Sequence, residues 1–222
     1  MIDFNSPIIQ IPRPSDALQL RKAMVANALS IINVSASNPN TKSIFIDILG
    51  PIKGQWDINR PFKCSLINGR YVTQGVSTCG LTCRGLWRRM GVDMPALYQS
   101  YVFGTAISAE KYFAQNNKCW QSPVPDSTLR PSPGDYLIIG SGTATHVLTV
   151  IQWQDDQLIS VDGGQCNPKD SLQMVAKRTR PWTIKNNVAY LGDRPVVGWI
   201  IFDMLPFKDQ INVPVGWDQL IL

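Results

Sequence analysis

The chain holds one histidine, His146, among its 222 residues. Any thiol–imidazole or hydroxyl–imidazole mechanism must therefore run through that side chain. His146 opens the run HVLTVIQW just after the stretch SGTAT, a pattern that predicts a base at a strand start beside a flexible loop. Five cysteines are available to it: Cys64, Cys79, Cys83, Cys119 and Cys166. Cys79 stands where a helix is expected to begin. There a thiol meets unpaired backbone N–H groups and the positive end of the helix dipole, which favour the thiolate. Its own N–H can also help to hold an oxyanion. Cys83, one turn later, lacks that setting and reads as core packing, and the other three read as structural or incidental. Asp162, sixteen positions after His146, is the residue expected to hold the second imidazole nitrogen, with Gln165 and Asn167 as alternatives. It also fits a plain turn position ahead of Gly163-Gly164.

These groups need elements to carry them. Ser15 to about Val34 reads as a helix capped by Ser15 or Asp16, with Leu18, Met24, Ala28, Leu29 and Ile32 as its apolar stripe. Ser43–Leu49 reads as a short helix closed by Gly50-Pro51, and 54–77 as a long irregular approach. From Cys79 to about Met90 a helix is expected, with Ser77 and Thr78 in capping positions and Gly91 as its stop. Cys79, Cys83, Leu86, Trp87 and Met90 share one face, which must be buried. After residue 130 the pattern turns to strands, at Tyr136–Ile139, His146–Trp153, Leu158–Asp162, Gln173–Arg178 and Val196–Phe202. A cysteine-bearing helix followed by an antiparallel meander describes an α+β fold. No repeat or low-complexity linker interrupts it, so a single catalytic domain is expected, with 1–70 a helical lead-in, 71–205 the core and 206–222 a C-terminal tail.

Composition narrows the setting. The chain is 44% hydrophobic and 17% charged, enough apolar material for a core and too little charge for a disordered chain. A net charge of +5 favours anionic partners such as wall polymers. Without an RNA-binding aromatic motif or a long basic run, nucleic acid is not expected as a partner. The longest apolar stretch is too short to span a bilayer, so stable membrane insertion is not expected. Residues 1–13 carry no conventional export signal, so synthesis in the cytoplasm is expected, with any export by another route. The odd cysteine count argues against a full disulfide framework and leaves open an oxidised pair such as Cys119 with Cys166. The spacing of ligand-type residues offers no structural zinc site, and no metal or other cofactor is expected.

The run TCGLTCRGLWRRMGVDMP resembles the nucleophile helix of the NlpC and CHAP branches of the papain-like cysteine hydrolases, through Cys79, Gly80, Leu81, Trp87, Gly91, Val92 and Pro95. The block RPSPGDYLIIGSGTATHVLTVIQW is similar to that superfamily's Pro-Gly-Asp strand and following His-Val strand, and ISVDGGQ to the strand that ends in the orienting acid. The closing VVGWIIF resembles its last strand. The resemblance spans about Tyr71 to Phe202. It implies a papain-like NlpC/CHAP α+β fold, a nucleophile helix packed on an antiparallel sheet, and a Cys79–His146–Asp162 triad. It also implies a second oxyanion donor upstream of the nucleophile, Gln74 or Tyr71, with Gln165 as a further support residue. Many relatives carry Asp before the cysteine, where this chain has Thr78.

The activity expected on these grounds is amide hydrolysis through a thioester, on peptidoglycan peptides or their link to the glycan. Such a bacteriolytic effector or lysin would act at a target envelope, with an inhibitory immunity protein as a conceivable partner. The rival expectations are deamidation or acyl transfer on protein or lipid, and a wall-binding module without activity.

Overall fold

The computed structural model describes residues 2–35, 37–50, 63–73, 77–94, 111, 113–124, 129–142 and 145–222. In chain order they form β1 (Ile8–Pro12), α1 (Ala17–Leu29), α2 (Lys42–Leu49), β2 (Cys64–Ile67), β3 (Arg70–Thr73) and α3 (Cys79–Arg89). Then follow β4 (Trp120–Gln121), β5 (Tyr136–Ile139), β6 (His146–Gln154), β7 (Gln157–Asn167), β8 (Leu172–Lys185), β9 (Val188–Leu191), β10 (Arg194–Ile200) and β11 (Gln210–Pro214).

Strands β5 to β10 run as an antiparallel meander that closes on itself. Tyr190 and Leu191 of β9 pair with Pro195 and Arg194 of β10, and β10 pairs back onto β5 from Val196↔Ile139 to Ile200↔Tyr136. The result is a closed six-stranded barrel with β4 added outside β10. This overturns the expected papain-like α+β fold of a nucleophile helix packed on a sheet: the architecture is a closed antiparallel barrel with few helices. Closure depends on β8, which extends to Lys185 rather than ending near Arg178 and so reaches β9. A meander that meets itself leaves no open edge to satisfy.

The alternation of side chains divides the apolar residues between two cores. Leu137, Ile139, Leu148, Val150, Leu158 and Trp199 pack inside the barrel. Ile138, Val147, Ile159 and Val161 face outward into a larger core shared with α1, α2 and α3. Trp87 of α3 is its largest fully buried side chain, with its ring 5.3 Å from that of Tyr136. Truncating such a residue typically costs about 3–5 kcal/mol.

Helix α1 starts where Asp16 accepts the Gln19 N–H at 2.8 Å, and it ends at Leu29, short of the expected Val34. It is tied to the barrel by Arg21, which donates to the Pro133 carbonyl and to Asp135 at 2.7 Å each. Asp135, 2% exposed, also accepts the Ser132 and Phe202 N–H groups. The C-terminal segment is no loose tail: β11 pairs with β1 along five residues, and Asn27 of α1 donates to the Asn212 carbonyl. Within the irregular approach, β2 and β3 form a hairpin around Asn68-Gly69.

Candidate active site

Helix α3 begins at Cys79 with its N-terminus against β6 and β7. That approach depends on two glycines. At Asp162 the β7–β8 ladder shifts register, and Gly163 and Gly164 form the irregularity. A Cβ on Gly163 would stand 2.1 Å from Thr82 Oγ1, and one on Gly164 2.3 Å from Ser77 Oγ and 3.1 Å from the Cys79 nitrogen. Gly164 also has φ +66°, the left-handed region. The bulge therefore seats the helix N-terminus directly beside the strand that carries Asp162.

His146 opens β6, opposite Ile139 of β5, and is 8% exposed. Its Nε2 lies 2.7 Å from Asp162 Oδ2. The other nitrogen, Nδ1, is left for the thiol of Cys79, whose pKa the same ring lowers. Asp162 is fully buried and fully engaged: Ser160 Oγ donates to Oδ1 and Arg180 Nη2 to Oδ2, both at 2.6 Å. Arg180 also donates to Ser160 Oγ at 3.1 Å, closing a small network around the carboxylate.

The electrostatics follow from those contacts. Burial raises the Cys79 pKa, but the hydrogen bond and charge of His146, the Ser77 hydroxyl and the Val147 N–H outweigh it and leave the thiol below its ordinary value. Burial disfavours the imidazolium too, yet Asp162 and Cys79 together push His146 up to about 9. Asp162 is held down to about 2, because the His146 and Arg180 cations overcome its desolvation. These contacts favour a thiolate–imidazolium pair over the neutral pair, with an ionised aspartate behind it.

The other thiols contrast with this one. Cys119 donates to the Asn117 and Met204 carbonyls, and burial with nearby Asp203 pushes it up to about 11. Cys83 is buried, 3.6 Å from Thr149 Oγ1. Cys64 and Cys166 form a disulfide, so the oxidised pair is not Cys119 with Cys166.

Cys79, His146 and Asp162 are thus brought together, and the alternative Asn167 is directed instead to Asp170. Gln165 accepts from Arg178 Nε at 2.9 Å, a position that supports an arginine rather than the thiol. Tyr71 lies in β3, but its side chain and all of Gln74 lie outside the described residues, as do Pro95 of the nucleophile motif and residues 143–144 of the loop before His146. Sequence reasoning missed Ser160 and Arg180 and gave Ser77 only a capping role. Ser160 and Asp162 share one face of a strand, a legible signal; Arg180 reaches Asp162 only through the β7–β8 register.

An open cleft of about 880 Å³ lies over the site. Ser77, His146 and Gly164 line it, with Arg178, Arg180 and Arg194 on the β8–β10 side. Cys79 keeps 4% of its surface exposed. Among the described residues no group of three or more His, Cys, Asp or Glu side chains could hold a metal ion, and no helix is long and apolar enough to cross a membrane. Compared with known proteins, the chain matches no protein-family model and no curated protein.

Proposed function

We propose that this protein is a cysteine hydrolase of amide bonds. The observation that carries the reading is one imidazole held between a thiol at a helix N-terminus and a fully buried carboxylate. This is the arrangement that nucleophilic acyl chemistry requires: a nucleophile, its base, and a group that orients the base.

The Cys79 thiolate attacks the substrate carbonyl, forming a C–S bond and a tetrahedral oxyanion. The Cys79 N–H, at the start of α3, makes only a long 3.4 Å bond to Ser77 Oγ and can turn from it to that oxyanion. Imidazolium at His146 gives its proton to the leaving amine as the C–N bond breaks, leaving a thioester. Neutral His146 then takes a proton from water, whose oxygen attacks the thioester and releases the acid and the thiolate. Throughout, Asp162 holds the ring by Nε2 and Arg180 holds Asp162.

The substrate class we favour is the peptide or amide linkage of peptidoglycan. The motif resemblance around Cys79, His146 and Asp162 supports it, and so does a net charge of +5, which suits an anionic wall. The test is to incubate the protein and its Cys79→Ala variant with peptidoglycan and identify released fragments by mass spectrometry. Fragments with new amines, absent with the variant, are the expected result. No cleavage by either protein would reject the wall as substrate, and a Gln-to-Glu mass change on a protein substrate would assign deamidation instead.

A further inference from the structure

Two arginines of β8 lean the same way along the barrel. Arg180 pairs opposite Leu158 but reaches Asp162, and Arg178 pairs opposite Ser160 but reaches Gln165 beyond the glycine bulge. Both guanidinium groups are therefore carried toward the Cys79 end of the cleft, which both line. Their situations differ. Arg180 is committed to Asp162 and Ser160. Arg178 is exposed and spends only Nε, on a neutral amide oxygen, and no acidic side chain among the described residues pairs with it. Its end-on pair of Nη groups remains for a planar, bidentate anion.

The charges around it do not cancel. Cys79 with His146 and Asp162 with Arg180 form two neutral pairs, which leaves Arg178 in the cleft outside both. That charge is positive, and it lines the same cleft as His146. By register, Arg178 sits two ladder positions from Asp162, roughly 7 Å, and its side chain covers that gap in the right direction. One extended peptide residue spans about 3.5 Å.

We propose that Arg178 binds a free carboxylate of the substrate placed within about one residue of the carbonyl that Cys79 attacks. The substrate is then an acidic peptide rather than any accessible amide. A carboxylate is chosen over a phosphate because the acid groups of an amide-linked peptide are carboxylates. The proposal rests on the reading of Cys79 as the nucleophile and adds to it the substrate feature that Arg178 recognises.

The test uses two alkylating probes that differ only at one group, iodoacetylglycine and iodoacetylglycinamide. With each, the Cys79 sulfur displaces iodide, and peptide mapping by mass spectrometry confirms the residue modified. Cys79 should react about tenfold or more faster with the carboxylate probe than with the carboxamide, as expected for a charge-assisted bidentate contact. In Arg178→Ala the ratio of the two rates should fall to about one. Arg178→Lys should restore part of the preference, and added salt should weaken it. Because Arg178 is exposed, the variants should fold, and their circular dichroism and melting curves verify this. Equal rates with both probes in the unsubstituted protein, or a preference that survives Arg178→Ala, would overturn the proposal. A carboxamide rate no faster than that of the unfolded chain's thiols would instead overturn the nucleophile reading itself, and this proposal with it.

Discussion

Asp162→Asn isolates the electrostatic part of the mechanism, because an amide keeps the shape of the carboxylate and removes its charge. His146 stands at about 9 against an ordinary 6.5, a difference of about 3 kcal/mol in favour of the imidazolium. Asp162 leads the raising causes and Cys79 supplies the rest. If Asp162 carries at least half, the substitution lowers His146 by more than one pKa unit and the ratio of the thiolate–imidazolium pair to the neutral pair by about tenfold or more. The variant also leaves Arg180, whose side chain is 22% exposed, without its carboxylate. The partial exposure moderates that loss to about 1–3 kcal/mol of stability. The assay is the rate of Cys79 alkylation by iodoacetamide across pH, which needs no substrate. In the unsubstituted protein the pair forms as pH rises through the lowered thiol pKa and is lost as His146 deprotonates near about 9. In Asp162→Asn the upper transition should move down and the neutral rate should drop. A profile superimposable on that of the unsubstituted protein would refute the assignment of Asp162.

Other consequences follow from the same contacts. Gly164→Ala should lower stability by about 1–3 kcal/mol and cut the alkylation rate, since its Cβ would press on Ser77 and the Cys79 backbone; melting curves and the iodoacetamide assay check both. Replacing Cys64 and Cys166 by serine opens a cross-link between residues 102 apart, which by chain entropy is worth about 4–5 kcal/mol. The same pair joins the β2–β3 hairpin to the cleft wall, so the variant should also raise KM more than it lowers kcat. Asp135→Ala should cost about 3–5 kcal/mol in chemical denaturation, because it strands Arg21 and two backbone N–H groups. Asp162 has a depressed pKa, so its contribution is present above about 4 and lost as pH falls through about 2; acid unfolding of Asp162→Asn should show less pH dependence in that window.

What the sequence disclosed and what it concealed have physical causes. The Asp16 cap, the start of α3 at Cys79 and the starts of β5, β6 and β7 at or near the expected residues are local features, written in capping side chains and alternating apolar runs. Barrel closure is not local. It rests on the pairing of β9 with β10 and on the continuation of β8 past Arg178 and Arg180, which break the apolar pattern because their face lines a polar cleft. The expected open sheet failed for this reason. The β1–β11 pair joins the two ends of the sequence, which no short window can register. The Asn68-Gly69 turn was a legible hairpin signal within a segment that read as irregular. At the site, the histidine and the first-turn cysteine could be found by residue type and position. Arg180 and the Cys64–Cys166 bond could not, since each depends on register and spatial proximity.

The proposed mechanism turns on the ionisation of one thiol. The direct measurement is the ultraviolet thiolate absorbance of the protein titrated with pH, minus that of Cys79→Ser. The expected result is a difference signal that rises below the ordinary thiol range of about 8.5 and is weakened in Asp162→Asn. A signal that first appears near or above that range, as for a simple buried cysteine, would contradict it.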